Sequence, residues 1–90
     1  MYRILIIDDE AIIRQGIIGY IDWNRLNCII AADFENGLQA IEYLKSESVD
    51  IIISDIKMPG ADGISVAKYV HENCPETKVI LYTGYSDFDY

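Results

Sequence analysis

The sequence has little of several things, and each shortage closes off a class of function. It holds two cysteines, Cys28 and Cys74, far apart and in no CxxC pair. They fit reduced thiols better than a disulfide or a thiolate metal site. The one histidine, His71, has no second histidine to chelate with and reads as a surface or helix-end residue. Basic side chains number 7 against 15 acids, for a net charge of −8. That balance argues against non-specific binding to DNA or to an anionic membrane. The opening apolar run, Ile4–Ile7, stops after four residues. It is too short for the core of a signal peptide or for a membrane span, so the expected compartment is the cytoplasm. No repeat, linker or low-complexity tract interrupts the chain. Its 90 residues allow one domain with a modest core.

What is present is an alternation of strand and helix. Ile4–Ile7 reads as a fully apolar strand ending in Asp8-Asp9-Glu10. From about Glu10 to Ile21 the spacing of Ile13, Ile17 and Ile21 predicts a helix with one apolar stripe and acids in its first turn. Gly16 and Gly19 weaken it by up to ~1 kcal/mol each relative to alanine. In the polar corner Asp22–Asn27, Trp23 reads as a packing anchor. Cys28–Phe34 is a second strand, and Asn36 then caps a helix that buries Ala40, Ile41 and Leu44. A third strand, about Asp50–Asp55, runs into the loop Pro59–Gly63. The next helix spans Ile64 to about Asn73, with Ile64, Ala67 and Val70/His71 on one side, and Pro75 stops it. Lys78–Thr83 is a fourth strand, Gly84–Ser86 a turn, and Asp87–Tyr90 the start of another helix. The order β-α-β-α-β-α-β implies a doubly wound α/β fold around a parallel sheet with right-handed crossovers.

In such a sheet the carboxyl ends of the strands share one rim, where ligands bind. Asp8 and Asp9 end the first strand, Asp55 the third and Thr83 the fourth. Asp55, at the end of a β-branched run, is the candidate nucleophile. Carboxylates gathered there repel one another unless a cation holds them. Oxygen-only ligands favour a hard ion, Mg2+ first and Mn2+ close behind. The hydroxyl of Thr83 can hydrogen-bond a phosphoryl oxygen carried on Asp55. Each piece has a plainer reading alone: a solvated helix start, a turn aspartate, a helix cap. Their placement at the ends of different strands is the specific signal. The seven tyrosines read as amphipathic packing rather than as a stacking platform for nucleic acid.

The segments LIIDDE (Leu5–Glu10), ENGLQAI (Glu35–Ile41), IIISDIKMPGADG (Ile51–Gly63) and VILYTG (Val79–Gly84) run through the whole chain. On them the chain resembles a response-regulator receiver (CheY-like) domain of two-component signalling, a flavodoxin-like fold with strand order 2-1-3-4-5. IDWNRL (Ile21–Leu26) and GYSDFDY (Gly84–Tyr90) resemble the subgroup fused to a C-terminal AraC-type DNA-binding domain. The resemblance implies a phosphoprotein rather than an enzyme. It also implies that Asp55 accepts phosphate from the phosphohistidine of a sensor histidine kinase, and it assigns the other residues the following expected roles. Asp9 and Asp55 ligate Mg2+ directly, together with the backbone carbonyl of Lys57, and Asp8 acts through a metal-bound water. Thr83 moves toward the phosphate as the switch, and Met58-Pro59 and Gly63 match the family's loop after the phosphorylated strand. The first helix supplies much of the kinase-docking face, with Ile12, Arg14 and Gln15 among possible contacts. Lys57 and Tyr85 flank the approach of water to the acyl phosphate. The output is a transcription-regulating domain, with no direct nucleic-acid or membrane binding by this chain.

The family's pattern continues beyond a fourth helix to a fifth strand, which opens on a phosphoryl-contacting lysine, and a fifth helix. Residues 1–90 are therefore expected to be a receiver domain truncated before that strand, with order 2-1-3-4. Its fourth strand is then an exposed edge prone to self-association or domain swapping. Two alternatives remain. One is a phosphorylation-independent receiver-like module, which the absence of that lysine from these residues makes worth keeping. The other is a Mg2+-dependent aspartyl-phosphate hydrolase of the haloacid-dehalogenase type, whose first-strand acids stand two apart where these are adjacent.

Overall fold

A computed structural model describes residues 1–58 and 62–83. The expected turn at Gly84–Ser86, the helix start at Asp87–Tyr90, Tyr85 and Pro59–Ala61 lie outside the described residues. Four apolar runs form the strands β1 (Tyr2–Ile7), β2 (Cys28–Phe34), β3 (Ile51–Asp55) and β4 (Lys78–Tyr82). They make one parallel sheet in the order β2-β1-β3-β4, as expected from the sequence. β1 is central, and Ile4 to Ile7 are all buried. That is what an unbroken apolar strand covered on both faces requires. The β1–β2 ladder shifts between Ile4 and Leu5, where Ala31 is the extra residue of a bulge.

The helices α1 (Ala11–Tyr20), α2 (Gly37–Leu44) and α3 (Gly63–Asn73) connect the strands. Leu5, Ile7 and Ile52 point to one face of the sheet, where Ala40 and Leu44 of α2 and Val66 and Val70 of α3 complete the core. Ile4 and Ile6 point to the other face by the alternation of the pleat. The Asn36 cap forms as predicted: its side chain accepts from the Gln39 N–H at 2.9 Å, while Gln39 reaches back to the Glu35 N–H at 3.2 Å. Ala40 and Leu44 are buried and Ile41 is half-buried. Trp23 is the anchor expected. Its indole donates to the Ile18 carbonyl at 3.1 Å and its own carbonyl accepts from the Cys28 N–H at 2.9 Å, tying the end of α1 to the start of β2. Both cysteines are free thiols.

Two expectations need correction. The acids Asp8–Glu10 precede α1 rather than occupying its first turn, and no residue of α1 is buried. Of the predicted stripe only Ile17 is half-buried, while Ile13 and Ile21 are exposed. In α3 the inward face is Gly63, Val66 and Val70, and Ile64 and His71 are exposed. The reason is a close approach. A Cβ on Gly63 would lie 2.5 Å from the Asp55 carbonyl oxygen and 3.0 Å from the Ile56 Cα and from Leu81. The Gly63 N–H also donates to the Ile56 carbonyl at 2.9 Å, and Asp62 caps the helix through the Ser65 N–H at 2.9 Å. With residue 63 pressed on the end of β3, positions 66 and 70 must face the sheet.

Gly63→Ala is expected to lower stability by ~1–3 kcal/mol, because the backbone it meets cannot yield cheaply. Nothing lies within 4 Å of a Cβ placed on Gly16 or Gly19. Alanine at either position is expected to raise stability by up to ~1 kcal/mol. Urea unfolding midpoints of the three variants measure both effects.

Candidate functional site

The register of the sheet builds the site. Ile7 pairs with Ser54, which brings Asp8 level with Asp55, and Asp55 itself pairs with Tyr82. Thr83 follows one residue later and is half-buried. Three adjacent strand ends thus carry Asp8-Asp9, Asp55 and Tyr82-Thr83 at one rim, as the sequence predicts for the acids and the threonine.

Asp8 is only 1% exposed and Asp55 only 7%. One carboxylate oxygen of Asp8 accepts from the Glu10 N–H at 2.8 Å, and the other accepts from the Tyr82 hydroxyl. Asp55 Oδ1 accepts from the Lys57 N–H at 3.3 Å. Burial pushes the Asp55 carboxyl above its ordinary range, and the charges of Asp8 and Asp9 push in the same direction. The backbone N–H groups of Lys57 and Ile56 oppose the shift without cancelling it. Tyr82 is held far above its ordinary range, first by burial, then by its bond to Asp8 and the charges of Asp8, Asp55 and Asp9.

The carboxylate oxygens of Asp8, Asp9 and Glu10 lie within 4.8 Å of one another. Glu10 joins this set although the sequence reading left it out, and Asp55 is not one of its members. Oxygen-only donors, two of them on exposed residues, suit a hard divalent cation such as Mg2+ that retains waters. Arg14 holds the turn in place. Its Nη1 donates to the Asp8 carbonyl at 2.7 Å and its Nε pairs with Asp33 on β2 at 2.7 Å. The guanidinium faces inward, whereas Ile12 and Gln15, named with it as docking contacts, are exposed. The signal for Arg14 was a lone cation on an otherwise apolar helix. For Tyr82 it was a polar tip at the end of an apolar strand.

Residues 4–90 match the response regulator receiver domain. The chain belongs to that family. Among solved structures it is similar to the REC domain of AraT, a response regulator from Geobacillus stearothermophilus, at 43% identity and a TM-score of 0.90. That match covers 99% of this chain and 69% of that one. It is also similar to a two component transcriptional regulator AraC from Clostridium phytofermentans ISDg, at 33% identity and a TM-score of 0.87, over 100% of this chain and 70% of that one. An uncharacterized transcriptional regulatory protein YesN of Bacillus subtilis (strain 168) is 38% identical over 90 residues; the receiver chain spans 24% of its length. The strand order is that of the family's flavodoxin-like sheet. No helix among the described residues is long and apolar enough to cross a membrane.

The raised carboxyl of Asp55 fixes the sign of a pH effect. The folded state holds this proton more tightly than the unfolded chain, whose value is near 3.8. Asp55 therefore subtracts stability as pH rises from about that value through the raised one, and the loss is complete above it. In divalent-free buffer Asp55→Asn is expected to melt a few °C higher at pH 7, on a scale of ~4–8 °C per kcal/mol for a domain of this size. The difference disappears near pH 3, on an order-of-magnitude reading of the same linkage. Melting curves of the two proteins across pH measure it.

Proposed function

We propose that this receiver domain is a phospho-accepting switch in which Asp55 takes a phosphoryl group from the phosphohistidine of a sensor histidine kinase. The observation that carries the reading is a nearly buried Asp55 beside the Asp8-Asp9-Glu10 turn, in a chain of the receiver family. A carboxylate oxygen of Asp55 attacks phosphorus in line, the P–N bond breaks, and the departing imidazole nitrogen takes up a proton. Positioning and charge neutralisation matter more here than covalent assistance. Asp9 and Asp55 would hold Mg2+ with the Lys57 carbonyl, Asp8 would act through water, and Glu10 stands close enough to share that role. When bound, the ion neutralises charge on the transferring phosphoryl group. Thr83, one residue beyond the partner of Asp55, would donate its hydroxyl to the phosphoryl group and carry the change along β4, a reading that the register of β3 and β4 supports. Tyr85 lies outside the described residues; Lys57 is exposed beside the site.

The kinase would approach α1, where Ile12 is 87% exposed and Gln15 is open to solvent. The output would be a transcription-regulating domain of the AraC type, a reading that the relatives' names support, and the cytoplasm is where such a regulator would act. β4 has one partner strand among the described residues, and Lys78 and Ile80 on it are exposed. Pairing of this edge between copies would give self-association.

Incubation with acetyl phosphate and Mg2+, followed by intact-mass spectrometry, is expected to show one phosphoryl group per chain. The group should be absent from Asp55→Asn and from wild type treated with chelator. Continuous hydrolysis of phosphate esters would favour the hydrolase reading, and an unmodified chain would favour the phosphorylation-independent module.

A further inference from the structure

We infer that Tyr82 is a positioning residue whose hydroxyl couples the end of β4 to the cation-holding turn Asp8–Glu10. The inference rests on the reading of that turn as a Mg2+ site and goes beyond it, because no role for Tyr82 is needed by the phosphoacceptor chemistry itself.

The argument starts from where the side chain is rooted and where it ends. The backbone of Tyr82 belongs to β4: it pairs with Asp55, and its carbonyl accepts from the Ile56 N–H at 2.9 Å. The side chain, partly buried, spans β3 and delivers its hydroxyl to Asp8 at the end of β1. The two residues are 74 positions apart in the chain. Asp8 thus has a fixed donor on each oxygen, the Glu10 N–H on one and the Tyr82 hydroxyl on the other. A carboxylate held at both oxygens has little rotational freedom left to lose when a cation or its bound water engages the remaining lone pairs. Thr83 is the next residue along the same backbone. A displacement at the end of β4 therefore alters the donor on Asp8, and a cation at the turn acts back on β4, since binding coupling is reciprocal.

Phenylalanine removes the hydroxyl and keeps the ring. Tyr82→Phe is expected to weaken Mg2+ binding about tenfold, the scale seen when a group that orients a metal ligand is lost. Calorimetric titration of the purified protein measures this. Tyr43→Phe is the control. Its hydroxyl accepts from Arg3 at 3.0 Å, away from the rim, and its loss should leave Mg2+ affinity within twofold, an order-of-magnitude margin for a residue outside the site. A purely structural tyrosine would not respond to the ion. In wild type, Mg2+ should perturb the near-ultraviolet difference spectrum of a hydrogen-bonded tyrosine. That signal should persist in Tyr43→Phe and vanish in Tyr82→Phe. Unchanged Mg2+ affinity in Tyr82→Phe, beside a wild type that binds the ion, overturns the coupling alone. A wild type that binds no Mg2+ overturns the metal reading and this coupling together. Should the phenylalanine variant fail to fold, the wild-type spectrum decides: a Mg2+-dependent tyrosine signal supports the coupling, and a flat one overturns it.

Discussion

Asp8 and Asp55 lie nearly out of solvent at the ends of adjacent strands, and the charge on Asp8 makes Asp55 harder to ionise. Desolvation and like charge act together, so the rim is a place where the fold is destabilised by its own residues. The surrounding donors answer that load one by one. The Glu10 N–H and the Tyr82 hydroxyl take the two oxygens of Asp8, the Lys57 N–H takes one of Asp55, and Arg14 grips the Asp8 carbonyl. Carboxylates gathered and desolvated in this way suit a hard divalent cation, which the proposed phosphoacceptor role would use.

The same strand end also organises the core. The Asp55 carbonyl oxygen is the atom that leaves no room for a side chain at position 63, so α3 begins pressed against β3. That contact turns Val66 and Val70 toward Leu5, Ile7 and Ile52. Packing on one face and chemistry at the rim therefore meet in a single residue. A change that loosens α3 would move Asp55, and a change that moves Asp55 would be felt in α3.

Features decided by neighbours in sequence were legible before the structure. The four apolar runs, the Asn36 cap and the acids at the strand ends depend on local pattern and on the rule that parallel strands end on one rim. The inward face of α3 was not legible. Its sequence offers two apolar stripes, Ile64–Ala67–Val70/His71 and Gly63–Val66–Val70, and only the approach of Gly63 to a carbonyl eight residues earlier chooses between them. Tyr82 was missed, and Arg14 was read as a docking contact rather than an inward-facing brace, for a similar reason. Their partners lie 74 and 19 residues away, and nothing in a strand or helix period announces them. Glu10 was visible as the third acid of a run, yet only the turn drawn tight by Asp8 gathers it with the other two.

β4 occupies a particular position in this arrangement. It is the outermost strand among the described residues, bound to the sheet through β3 alone, yet its last residues address both buried acids. The backbone of Tyr82 pairs with Asp55, its hydroxyl meets Asp8, and Thr83 follows on the same backbone. A change of charge at the rim, whether a cation arriving or a phosphoryl group added to Asp55, would therefore be felt directly at the end of β4. In the proposed switch β4 would be the route by which the state of the acidic site leaves the core, and the Tyr82 hydroxyl would make that route sensitive to Asp8 as well as to Asp55.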